Sequence, residues 1–115
     1  MKDTNGEIKY KDKTYKLAFN LNVMEKIQDQ YGTIDKWAEL TSGKEQEVNV
    51  KALKFGFAEM INEALEIEAD EKGEEFVPFT EKQVGRMLTE IGLDKMQETL
   101  QQTVVESTKS DEKNA

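Results

Sequence analysis

The chain contains no cysteine and no histidine. The first absence excludes disulfides, thiolate metal sites and cysteine nucleophiles. The second removes the commonest general base and the commonest transition-metal ligand. Catalysis would have to rest on carboxylates, Lys, Tyr, Ser or Thr, and no activated nucleophile can be argued from the sequence. Long apolar runs are missing too. None approaches the roughly 18 residues of a membrane span. "MKDTNGEIKY" has no apolar segment of the kind a secretory signal needs, so the expected setting is the cytoplasm. Positive charge is the last scarcity: 16 Lys and Arg stand against 24 Asp and Glu in 115 residues, a net charge of −8. That balance speaks against nucleic acid or an anionic membrane as partner, because affinity for phosphate backbones rests on cations that release counterions.

What remains is enough for one small domain with a modest core: 37% hydrophobic residues and a mean hydropathy of −0.76. Residues 1–6 read as a flexible start, 7–105 as the domain, and 106–115, with no apolar residue but the final Ala115, as a disordered tail. Ile8 and Tyr10, then Tyr15, Leu17 and Phe19, alternate on either side of the polar turn "KDKT", which predicts a β-hairpin. An isolated hairpin is marginal in water, so its apolar face must lie on helices or another chain. The period then changes. Asn22 followed by Glu25 predicts a capped helix start, with Val23, Met24, Ile27 and Tyr31 on one face and Gly32 as terminator. Thr33 caps a shorter helix with Ile34, Trp37 and Leu40 inward, ending at Gly43. Asn49 caps the longest helix, with Val48 stapled onto Leu53. Its stripe runs through Leu53, Phe57, Met60, Ile61, Ala64 and Leu65, extended by Val50 and widened by Phe55. Gly56 within it marks either close backbone packing or a weak spot. The charged run "EADEKGEE" ends this helix. Thr80 and Gln83 form a second capping box ahead of Val84, Leu88 and Ile91, with Gly92 as stop. A last helix over about 93–105 presents Leu93, Met96, Leu100 and Val104, with Val105 as a further candidate for its stripe. The expected fold is therefore α+β and predominantly helical: an N-terminal hairpin followed by about five helices.

No motif carries chemistry. Setting Gly73 at the sixth position of a calcium loop puts Lys72 at the fifth and Phe79 at the twelfth, where a bidentate Glu is required. The segment 80–105 resembles a helix-turn-helix, but its second helix opens with Asp94, Lys95, Gln97 and Glu98, a poor set for reading bases. Carboxylates are so abundant that close pairs are expected by chance, and no metal or cofactor site is predicted. Met24, Met60, Met87 and Met96 fall on apolar helix faces, where packing explains them, although Met-bearing surfaces also suit adaptable recognition.

The order of these elements carries a resemblance. Ile8, Tyr10, Tyr15, Leu17 and Phe19, followed by a helix with Met24 and Ile27 that closes on Tyr31-Gly32, resemble the opening of the tail assembly chaperones of long-tailed bacteriophages and prophages. "TIDKWAELTSG", "VKALKFGFAEMINEAL" and "TEKQVGRMLTEIG" are similar to the segments that follow, so the likeness covers about residues 7 to 105. It implies a non-enzymatic protein of the bacterial host cytoplasm, absent from the mature virion. Such a protein binds the tape measure protein and helps recruit tail tube subunits, with neither nucleic acid nor membrane as partner. Self-association into a ring or spiral, through the free edge of the hairpin, is a further expectation. By residue type, the candidate partner-binding side chains are Tyr10, Tyr15, Trp37, Phe55, Phe57 and Phe79. Two other readings stand beside this one: a DNA-binding regulator using residues 80–105, and a small acidic regulator or inhibitor that mimics DNA.

Overall fold

A two-residue turn starts the fold. In the computed structural model, which describes residues 6–44 and 46–114 and the side chains of these as far as Val104, β1 (Gly6–Tyr10) pairs antiparallel with β2 (Lys13–Leu17), Ile8 opposite Tyr15. Lys11 and Asp12 between them have φ of 48° and 64°, the double positive φ of a type I′ turn. The usual Asn-Gly is absent, so two L side chains sit in a left-handed region that costs each about 1 kcal/mol. Ile8 and Leu17 are buried, while Glu7, Lys9 and Lys16 face water. The strands thus have one packed face and one wet face. The segment read as flexible, 1–6, lies outside the described residues apart from Gly6, which opens β1.

Five helices follow: α1 (Leu21–Tyr31), α2 (Ile34–Ser42), α3 (Val50–Lys72), α4 (Glu81–Ile91) and α5 (Leu93–Asn114). The architecture is α+β and predominantly helical, as the patterning predicts. Among the described residues, no helix is long and apolar enough to cross a membrane. The cap of α1 differs from expectation. Asn20, not Asn22, accepts the Val23 N–H through its side chain. Asn22 turns instead to Glu63 of α3, whose Oε2 accepts from both Asn20 Nδ2 (2.8 Å) and Asn22 Nδ2 (3.0 Å). Thr33, Asn49 and Thr80 cap α2, α3 and α4 as expected, the last as a reciprocal box with Gln83. The backbone of α5 continues to Asn114, past the Val105 at which the apolar stripe stops.

The helix α3 is the spine. β2, α1, α2 and α4 pack on it, and β1 rests on α4 and α5. The core gathers Leu17, Phe19, Ile27, Trp37, Leu53, Phe57, Met60, Ile61, Met87 and Met96, each at most 2% exposed. Small residues set the spacing. The Ala18 N–H reaches the Met60 carbonyl of α3 at 3.1 Å, which requires the exit of β2 to run against the helix backbone. At Gly56, a Cβ would stand 2.3 Å from Cζ2 of Trp37, so this glycine marks close packing and not a weak spot. The indole lies across it and donates from Nε1 to the Ala52 carbonyl (2.9 Å). Gly6 has the same role against α5, where its Cβ would overlap Thr103 Oγ1.

Candidate functional site

The six aromatic candidates do not form one site. Trp37 and Phe57 are core residues, 2% and 0% exposed, so neither presents a ring to a partner. Tyr15 and Phe79, both half-buried, meet edge to face at 5.4 Å. They tie the hairpin to the extended segment that follows α3. Phe55 meets Tyr31 in the same manner at 5.7 Å. Its partner's hydroxyl is enclosed without a hydrogen-bond partner, and burial, reinforced by Glu81, pushes the Tyr31 pKa above the usual tyrosine value. Tyr10 lines an open groove.

That groove, about 930 Å³ in volume, lies between the hairpin tip, the start of α3, α4 and the start of α5. Its floor is apolar: Tyr10, Val50, Leu88 and Leu93, with Gly85 and Thr89 along α4. Val50 and Leu93 are 53% and 43% exposed, although the stripes of their helices predict both to point inward. Each is the first residue of its helix, as is Leu21, 72% exposed. Cα–Cβ bonds tilt toward a helix N-terminus, so an apolar residue at the first position points past the end of the core it would otherwise join. An apolar residue immediately after a cap is the signal that sequence reading passed over.

The rim of the groove runs against the charge of the chain. Lys11, Lys54, Lys82 and Arg86 line it, with Glu90 as its one carboxylate. Lys11 sits 5.4 Å above the Tyr10 ring. The Lys54 stem lies over Gly85: its Cδ, Cε and Nζ are all 3.7–3.8 Å from the point a Cβ would occupy there. A glycine in α4 therefore leaves room for an aliphatic stem at the floor and an ammonium group at the edge.

A smaller groove of about 270 Å³ opens elsewhere along α3, between the start of α1 and residues 76–78. Glu59, Glu63 and Glu66 line it with Lys26, Phe76 and Pro78. At 3.6 residues per turn, its α3 residues lie roughly 150° around the axis from Val50 and Lys54, so the two grooves flank the spine. Val77 beside it is 72% exposed. Burial raises the pKa of Glu59, with Lys26 opposing and Glu63 reinforcing the shift. The extended segment is fixed by Asn62, which donates from Nδ2 to the Phe79 carbonyl (3.1 Å) and accepts the Phe79 N–H at Oδ1 (2.9 Å). Nothing in the spacing of residues 62 and 79 signals this clamp.

A narrower cleft of about 230 Å³ lies between α2 and α5, beside Trp37, Leu53, Leu100 and Val104. Gln97, at the start of the would-be recognition helix, is engaged here. Its Nε2 donates to the Thr41 and Ser42 carbonyls, both at 3.0 Å, and so closes the end of α2. Among the described residues, no group of three or more acidic side chains is placed to share a metal ion. No family model, curated protein or solved structure matches the chain.

Proposed function

We propose that the chain is a non-enzymatic tail assembly chaperone of a long-tailed phage or prophage. It acts in the host cytoplasm, binds the tape measure protein, helps recruit tail tube subunits and leaves before the virion is complete. One observation carries the reading beyond the resemblance. The large exposed apolar side chains Leu21, Val50, Val77 and Leu93 are fixed in place by helix starts and by the Asn62 clamp, and Val50 and Leu93 share an open groove. Exposed apolar surface gathered beside clefts marks a surface for another polypeptide. A holder for a long, apolar helical client needs such surface, together with the high net charge that keeps the loaded complex dispersed.

Co-expression with a tape measure fragment tests the proposal. The wild-type chain is expected to keep the fragment soluble. The double substitution Val50→Ser and Leu93→Ser, at exposed positions that leave the core intact, is expected to lose that effect with an unchanged circular dichroism spectrum. A fragment that precipitates equally with and without the wild-type chain overturns the reading.

A further inference from the structure

From the groove's chemistry we infer that it selects an acidic amphipathic helix of the client, and not apolar surface in general. The inference rests on the reading above that this groove is a client site. In a chain of net charge −8, a surface taken at random should be lined mainly by carboxylates. This one sets Lys11, Lys54, Lys82 and Arg86 against Glu90 alone. Among the described residues, Lys54, Lys82 and Arg86 make no ion pair with another side chain of this protein. Their charges are unspent, and Lys54 is held at the edge by the path of its stem over Gly85.

The floor decides the class of occupant. Val50 and Leu93 stand exposed between the cations, and burying them is favourable only under an apolar face. A nucleic acid would set phosphates against that floor while meeting repulsion from the rest of the molecule. A helix with Leu or Met at i, i+3, i+4 and i+7 and carboxylates on either side covers the floor and reaches the rim together. The negative charge elsewhere then serves discrimination. An acidic peptide is attracted only within a Debye length of the groove, so selection requires docking in the right place.

The test titrates the full chain with two synthetic helical peptides that share one Leu stripe, one flanked by Glu and the other by Lys. A labelled single-stranded oligonucleotide forms a third arm. The Glu peptide is expected to bind about ten-fold more tightly than the Lys peptide at low salt, the sum of a few weak rim pairs. The gap should narrow at about 1 M salt, where the Debye length falls to about 3 Å. The double variant Lys54→Glu with Arg86→Glu should reverse the preference and keep the wild-type circular dichroism spectrum. Equal binding of both peptides, preference for the Lys peptide, binding of neither, or capture of the oligonucleotide in their place each overturns the inference. The co-expression assay separates the two readings. A double variant that still keeps the tape measure fragment soluble removes the charge selection and leaves the chaperone standing. A wild-type chain that prefers the Glu peptide but never protects the fragment does the opposite.

Discussion

Alanine at two glycines should move stability in opposite directions, and the structure supplies both magnitudes. Gly56 and Gly85 each lie inside a helix, where Gly costs about 1 kcal/mol relative to Ala. Propensity alone predicts that both substitutions stabilise. At Gly85 nothing opposes this, because the nearest atoms to an added Cβ belong to the Lys54 stem at 3.7 Å, ordinary contact. Gly85→Ala should therefore add about 0.5–1 kcal/mol. At Gly56 the new methyl would stand 2.3 Å from the Trp37 ring, where carbon atoms need about 3.5 Å. The ring must retreat by more than about 1 Å, at an overpacking cost of about 1–3 kcal/mol. Doing so also breaks the bond from the indole Nε1 to Ala52, worth about 1 kcal/mol and more if the buried donor finds no partner. After the propensity term is subtracted, Gly56→Ala should cost about 1–3 kcal/mol. The variants would then differ by about 2–4 kcal/mol, or roughly 8–16 °C in Tm for a domain of this size. Urea and thermal unfolding followed by circular dichroism measure the difference. Trp37 is the only tryptophan, so its fluorescence reports whether the ring has moved. A Gly56→Ala protein as stable as Gly85→Ala, with wild-type emission, would refute the packing argument.

Four further outcomes are expected. Replacing Lys11-Asp12 by Asn-Gly should raise stability by about 1–2 kcal/mol, since both positions hold positive φ; a lower urea midpoint would count against the turn type. Asn62→Ala should cost about 1–3 kcal/mol by leaving the Phe79 backbone without its partners, and hydrogen exchange should accelerate at Phe79. Tyr31→Phe removes a hydroxyl that has no partner, so it should be neutral or slightly stabilising. It should also abolish the latest phase of tyrosinate formation in an alkaline titration, because the Tyr31 pKa is raised. Glu59→Gln concerns a carboxyl whose folded pKa is raised by burial. The native state holds that proton to higher pH than the unfolded chain, so wild-type stability falls as pH rises through the interval from the unfolded to the folded pKa. The variant should gain on wild type at pH 7 and lose the advantage near pH 4; a pH-independent difference would argue against the assignment.

Periodicity and caps made most of the fold legible. The hairpin, the end of α2 at Gly43, the end of α3 within the charged run 68–75, and the Thr80–Gln83 box all follow from local rules that tertiary contacts reinforce. Asn20 was missed because Asn22 with Glu25 matches a capping box two residues later, whereas the residue three after Asn20 is Val23, whose N–H the Asn20 side chain accepts without a reciprocal partner. The candidate site was barely legible. Choosing large aromatics selected Trp37 and Phe57, which the core needs for their volume. The groove is built of lesser signals: two apolar residues at helix starts, a glycine that makes room for a lysine stem, and cations brought together from the hairpin, α3 and α4. Such convergence has no footprint in any one window of sequence.

The seating of Gly6 against Thr103 bears on how this protein is born. Gly6 opens β1 and Thr103 lies in α5, so this strand gains that contact only after all the intervening helices have left the ribosome. A stop codon shortly before Thr103 would leave the opening strand without its seat, and the quality-control machinery of the cell should clear that product quickly.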